Sequence, residues 1–260
     1  MIAPSGSIPS RIFNSICPRA LHPQSFAVRR CRDRDGWRIL SGPFRGMRYV
    51  GRSVGSAFQA KIIGTYEMEL HGAIEELCRE RFDVIIDVGA AEGYYAVGMA
   101  LRCTSARVVA FESEAAGQNL IRELARLNSV SDRVEVSGHC APADLKAAIA
   151  RSTRPPLVIM DAEGAELELL DPKRISMLRS SSILVELHDC LREGISDAIR
   201  ERFTDTHAIR CFTQRQRSLS DLPVRSLLLD RWLIRMTNEH RPAPMSWFVM
   251  RPRKPGAPEN

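Results

Sequence analysis

The sequence predicts an α/β fold in which a mostly parallel sheet carries helices on both faces. Three observations lead there. From residue 83 onward, short apolar runs alternate with segments of helical spacing. The runs are near-continuously apolar, as strands buried on both faces are. The first of them, "FDVIIDVGAAEGYYAVGMA" (82–100), ends in an acid and a glycine-bearing turn before a helix of small residues, the grammar of a strand feeding a nucleotide site.

Taken in order, strands are expected at 83–87, 107–112, 133–138, 157–161 and 183–188, with helices at 93–103, 115–128, 143–152, 165–170 and 194–203. "THAIRCF" (206–212) and "MSWFVM" (245–250) read as two further strands closing the sheet. The insert between them, about 214–244, contains the helical pattern "LPVRSLLLDRWLIRM". Ahead of the alternation, residues 1–35 form a basic arm rich in Pro, Ser and Arg and without periodicity. Residues 36–63 read as a small β appendage, "WRILSGPFRGMRYV" (37–50) giving two strands around a Gly-Pro turn. The main domain then spans 64–260, opening with "GTYEMELHGAIEELCRERF", where Leu70, Ile74 and Leu77 share one helical stripe.

Composition narrows the function classes. The 260 residues are 44% hydrophobic and 26% charged, which suits one large soluble domain with or without an appendage. No apolar run approaches the ~18–20 residues that cross a bilayer, and the N-terminus makes a poor secretory signal. The seven cysteines are scattered and never spaced C-x-x-C, so neither a disulfide framework nor a zinc site is expected, and a reducing, cytoplasmic setting is. Charge is uneven: residues 1–62 hold eleven Lys/Arg against Asp33 and Asp35, while the whole chain carries +6. Such an arm suits RNA, anionic lipid or plain solvation, and an Arg-rich, acid-poor start also resembles a mitochondrial transit peptide.

The glycine turn decides which nucleotide fits. A dinucleotide loop needs three glycines, for a tight turn, for close approach of a pyrophosphate and for helix packing. Anchored on Gly89, that pattern falls on Ala91 and Tyr94; ending on Gly93, it falls on Val88 and Ala90; no register works. Glu92 is expected to face the ligand and repel a pyrophosphate, and the chain has no G-x-x-x-x-G-K-[ST]. A ligand with a cationic, phosphate-free head fits better, and S-adenosylmethionine is one. Asp87 at the strand tip would serve its ammonium, and Gly89 would let the backbone pass close to it. Glu112, nineteen residues beyond Gly93 at the tip of the second strand, suits two ribose hydroxyls, a role it would fill equally for NAD. Asp87, Glu112, Asp161 and the Glu186–His188 pair lie near the carboxyl ends of four expected strands, where open parallel sheets bind ligands.

The stretches "IIDVGAAEGYYAVGMA", "VVAFESE", "LVIMDAEGAELELL" and "ILVELHD" resemble class I S-adenosylmethionine-dependent methyltransferases, and among them the FkbM-type family, over residues 64–190. The D-A-E-G-x-E element at 161–166 is the most specific part. The resemblance implies a Rossmann-like sheet of seven strands with the last reversed, and methylation of a hydroxyl on a small molecule or sugar. It also implies cofactor contacts at Tyr66, Glu67, Asp87, Gly89, Ala90, Gly93, Tyr95, Glu112, Ser113, Cys140 and Asp161. The chain departs from the wider class after the third strand, where Gly138, His139 and Cys140 offer no carboxylate for adenine and Asp144 reads as a helix N-cap. It also lacks the [ND]-P-P-[YFW] of amide methylation.

Methyl transfer to a hydroxyl needs alignment, exclusion of water and removal of a proton, and proximity alone supplies roughly 7–11 kcal/mol. Asp161, Glu163 and Glu166 are candidates to orient or deprotonate the acceptor; they would also suit a divalent cation or a plain helix N-terminus, and a metal is not expected. His188 has the intrinsic pKa of a general base, although a lone histidine at a strand end is more often structural. Glu186, inside an apolar strand, must line the site or pair with a buried base. Tyr66 and Glu67 would form a lid, or only follow a cap at Thr65. His240, Arg241 and Trp247 belong to an acceptor pocket or to a Pro-stiffened connection. The expected partner is a small hydroxylated acceptor. The alternative is an RNA-binding or RNA-modifying protein using the basic arm, for which Phe13, Phe26, Trp37, Phe44 and Tyr49 are sparse stacking platforms.

Overall fold

A computed structural model describes residues 32–33, 36–54, 57–223, 230–241 and 243–253. The basic arm, apart from Arg32 and Asp33, lies outside the described residues, as does 224–229 of the expected insert helix. Ahead of the main sheet, β1 (Arg32–Asp33), β2 (Gly36–Arg38) and β3 (Arg48–Tyr49) form a small antiparallel sheet in which Trp37 pairs Tyr49. The two strands expected at 37–50 are therefore present, with a third beside them. Helix α1 (Phe58–Ile63) follows, and its Ala60, Ile62 and Ile63 enter the same apolar cluster as Ile39, Phe44 and Tyr49.

After α2 (His71–Arg79), strand and helix alternate: β4 (Val84–Val88), α3 (Tyr94–Arg102), β5 (Arg107–Phe111), α4 (Ala115–Leu127), β6 (Val134–Ser137), α5 (Pro142–Ala150), β7 (Leu157–Met160), α6 (Glu166–Leu169), β8 (Ser182–Leu187), α7 (Ile195–Phe203) and β9 (His207–Thr213). Helix α8 (Asp230–Met236) and β10 (Ser246–Pro252) complete the order. The seven strands from β4 onward make one sheet ordered β6-β5-β4-β7-β8-β10-β9, with β10 antiparallel to both β8 and β9. The expected mostly parallel sheet with a reversed last strand is the one observed. Strand bounds agree with the sequence reading to within two residues, because apolar runs bounded by turn residues mark them well.

Side-chain alternation along β4 explains the layering. Val84, Ile86 and Val88 join a core with α5, α6 and α7, while Ile85 joins the opposite core with α1 to α4. Asp87 shares the Ile85 face, so an acid is buried where the strand would otherwise place an aliphatic side chain. The chain leaves β4 toward β5 on one side and returns to β7 on the other, and the crevice at that switch point is where Asp87 and Asp161 sit. No helix among the described residues is long and apolar enough to cross a membrane.

Candidate active site

A cavity of about 670 Å³ opens at the carboxyl ends of β4, β5, β7 and β8. That volume suits a nucleoside-sized ligand with room for a second molecule.

One wall is the turn from β4 to α3. Gly89, Ala91 and Gly93 all have left-handed backbone, with φ of 80°, 49° and 93°. The turn is held by its own amides. Gly89 and Ala90 both donate to the Phe111 carbonyl at 3.0 Å, Ala91 donates to Glu112 Oε2 at 2.7 Å, and Gly93 donates to the Ala90 carbonyl at 2.7 Å. A phosphate-binding loop turns such donors toward its anion, and here those four are consumed internally. Two sequence expectations change as a result. Glu92 does not face the ligand: it is fully buried behind the turn, accepting from Tyr49 Oη and Lys61 Nζ at 2.6 Å each and from the Val54 amide at 3.2 Å. Gly89 is required by a chain crossing, since a Cβ there would lie 1.7 Å from the Asp161 carbonyl oxygen. Gly93 caps α3 against Ile121 and is not part of the cavity wall.

Glu112 is buried at the tip of β5, its Oε2 on the Ala91 amide and its Oε1 on the Glu114 amide, each at 2.7 Å. Those bonds fix the carboxylate in one orientation and leave further lone pairs for hydroxyl donors. Gly117 makes the arrangement possible, because a Cβ there would meet Glu112 Cγ at 2.7 Å and the Ala91 carbonyl at 2.8 Å. Asp87 Oδ2 is buried with no hydrogen-bond partner among the described residues, on the cavity wall. Burial pushes its carboxyl up to about 7, and the Asp161 charge adds to this. Gly138, His139 and Cys140 line the side beyond β6, and burial raises the Cys140 thiol to about 12, leaving it a neutral contact. Asp144 is not the N-cap of α5: Ala141 occupies that position, and Asp144, in the first turn, accepts the Ala141 amide at 3.0 Å.

The other end of the cavity gathers the D-A-E-G-x-E turn and the end of β8. His188 Nδ1 lies 2.7 Å from Glu166 Oε1, and Gly164 donates its amide to Glu166 Oε2 at 2.9 Å. Glu166 is fully buried; burial alone would raise it, but His188 and these amides hold it below the usual carboxylate range. His188 Nε2 faces Asp161 Oδ1 at 3.4 Å and Glu186 Oε1 at 3.7 Å. Burial would lower the imidazole; the Glu166 hydrogen bond and the Asp161 charge outweigh it and raise it. Asp161, though its side chain is 43% accessible, is raised to about 6 by its recessed position and by Glu67. Asp161, Glu186 and His188 each bring a donor atom within 4.8 Å of the others. The positive charge beside them is the Arg241 guanidinium, which donates to Glu186, to Glu67 and, at 3.0 Å, to Glu239 Oε2. Trp247 Nε1 donates to Glu186 Oε2 at 3.2 Å.

Glu186 lines the cavity and also pairs with a base, Arg241, which is half-buried and not enclosed as the sequence reading had it. Tyr66, Glu67, Asp87, Gly89, Ala90, Tyr95, Glu112, Ser113, Cys140, Asp161, Glu163 and His188 all line this one cavity. Glu67 sits in left-handed backbone (φ 45°), and its carboxylate is held by Tyr95 and Arg241. Thr65 does not cap α2: its hydroxyl is buried without a partner among the described residues. Glu163 stands exposed in left-handed backbone at φ 46°. Sequence reasoning missed Lys61, Gly117 and Glu239. The lone lysine inside "FQAKII", on a helix otherwise turned inward, was the available signal for the first.

No family model matches the chain, and no curated protein does. Among solved structures it is similar to the O-methyltransferase TomG of Streptomyces achromogenes, crystallised with S-adenosylmethionine, at 13% identity over 93% of this chain and 95% of that one, TM-score 0.47. It is also similar to an O-methyltransferase of Bacillus cereus, crystallised with S-adenosylhomocysteine, at 14% identity over 73% and 82% of the two chains, TM-score 0.45. The C-terminal domain of the precorrin-6Y C5,15-methyltransferase of Rhodobacter capsulatus is similar at 16% identity over 76% and 94%, TM-score 0.49. At such identities and TM-scores the likeness says nothing of what this chain binds, and its chemistry has to come from its own residues.

Proposed function

We propose that this chain is an S-adenosylmethionine-dependent O-methyltransferase acting on a hydroxyl of a small acceptor. One observation carries the reading: a single cavity is lined by an unpartnered buried carboxylate oxygen of Asp87, by a fixed Glu112 carboxylate and by His188, whose Nδ1 is held from behind by buried Glu166. The first pair suits a ligand with a cationic amino acid head and a ribose. The consumed amides of the β4–α3 turn speak against a pyrophosphate.

Bound S-adenosylmethionine would supply an electrophilic methyl carbon. Asp87 would hold its ammonium, Glu112 its ribose hydroxyls, and the wall at His139 and Cys140 its adenine. The chain's own contribution to the reaction is at the acceptor. With Glu166 taking the Nδ1 proton in a hydrogen bond, His188 presents the Nε2 lone pair toward Asp161 and can receive the hydroxyl proton. Asp161 and Glu163 orient that hydroxyl. Arg241 and Trp247 keep Glu186 from adding a further free charge beside the site. The meeting of Asp161, Glu166, Glu186 and His188 supports the finer kinship with FkbM-type enzymes. Asp161 and Glu163 put carboxylates on the acceptor side, and Arg241 there is already paired with Glu67, Glu186 and Glu239, which disfavours a phosphate backbone and speaks for a small, uncharged or cationic acceptor over RNA.

Calorimetry with S-adenosylmethionine, S-adenosylhomocysteine and NAD tests the reading. Micromolar binding of the first two, none of NAD, and loss in Glu112→Ala are expected. A folded protein that binds neither sulfur ligand would sink the proposal.

A further inference from the structure

Lys61 is a charged residue the proposed chemistry does not use, yet it lies on the cavity wall and is 3% exposed. Its Nζ sits 2.6 Å from Glu92 Oε1 and lies 4.7 Å and 5.2 Å from the ring centroids of Tyr66 and Tyr94. Burying an ion pair gains little stability over apolar packing, so a buried lysine at a ligand wall calls for a further reason. The surroundings supply one. Glu92 is fixed from behind by Tyr49 and the Val54 amide, which holds Lys61 against the β4–α3 turn. Asp87 lines the same cavity and brings its unpartnered buried oxygen to it. An ammonium carries three donors and no acceptor; a carboxylate beside it offers the reverse. Together they form the complement of an α-amino acid head, whose ammonium and carboxylate sit on one carbon.

We infer that Lys61, positioned by Glu92, binds the α-carboxylate of the cofactor while Asp87 takes the ammonium, so that the site selects ligands with an intact amino acid head. The inference rests on the S-adenosylmethionine reading above. It also gives the N-terminal segment a direct part in binding: Tyr49, Val54 and Lys61 all precede the domain that the sequence alone delimits at residue 64, and all three meet Glu92.

The test compares S-adenosylhomocysteine with its decarboxylated analogue and with 5′-methylthioadenosine, by calorimetry. The variants are Lys61→Met and the double variant Lys61→Met/Glu92→Gln, which removes both charges and so avoids leaving Glu92 buried and alone. In the folded double variant, S-adenosylhomocysteine should bind about tenfold to a hundredfold more weakly, the loss expected for one charge-assisted hydrogen bond. The two ligands without a carboxylate should bind as they do to the unaltered protein. Equal loss for all three ligands, or no loss for any, would overturn the inference while leaving the cofactor assignment standing. If the unaltered protein binds none of the three, both readings fall.

Discussion

At Asp87, burial and the nearby Asp161 charge hold the carboxyl near 7, against about 3.9 for a free aspartate. Between those values the unfolded chain has released its proton and the folded one has kept it, so stability falls as pH rises through that window. Asp87→Asn should therefore raise the stability of the ligand-free protein at pH 8 by on the order of a few kcal/mol, with little change near pH 4. Chemical denaturation at the two pH values checks this. The same variant should lose S-adenosylmethionine binding, so a stabilised variant that still bound cofactor normally would refute the assigned role. His188 works in the opposite sense. Its raised imidazole must be neutral to accept a proton, so the rate should climb with pH through a midpoint above the ordinary histidine value of about 6.5. Glu166→Gln removes the hydrogen bond that does most to raise it. It should shift that midpoint downward and reduce kcat by about tenfold to a hundredfold. A pH–rate profile measures both effects.

Between strand and helix, two glycines separate folding from binding. Gly89→Ala would drive a Cβ to 1.7 Å from the Asp161 carbonyl at a backbone φ of 80°, so β4 and β7 could not both keep their register at the switch point. A loss of about 3 kcal/mol or more is expected in thermal or urea melts. Gly117→Ala, on α4, would press on Glu112 Cγ at 2.7 Å and on the Ala91 carbonyl at 2.8 Å. Cofactor affinity should fall by about tenfold or more while the melt changes much less. Periodicity showed the sheet, its helices and the acids at its strand ends, because each is a local pattern of apolar and polar residues. It did not show where Glu92 points, since a turn with left-handed residues at 89, 91 and 93 does not obey strand or helix alternation. Nor did it show Gly117 or the His188–Glu166 pair: the first reads as a weak spot in a helix, and the second joins residues 22 apart through a turn. Lys61 was hidden for the same reason, its partner Glu92 lying 31 residues further on.

For the whole molecule, ligand binding and folding are linked, because Asp87, Glu112 and the Lys61–Glu92 pair are assembled only in the folded chain. S-adenosylhomocysteine at a hundred times its dissociation constant should add about 2.7 kcal/mol, visible as a rise of several degrees in Tm, and NAD should add none. Trp247 and Arg241, which together hold Glu186, come from β10 and its approach. That strand is the latest in sequence yet lies between β8 and β9. A ribosome delivers β9 first, and among the described strands β9 has no other partner than β10. Until β10 emerges, β8 remains an open edge, β9 cannot join the sheet, and Glu186 lacks the Trp247 hydrogen bond. A chain cut short before residue 246 would thus lose two strands from that side of its sheet, β10 itself and β9 with it. Such fragments would present the unpaired edge of β8, a template for pairing with another chain, so the last strand also guards the sheet against association.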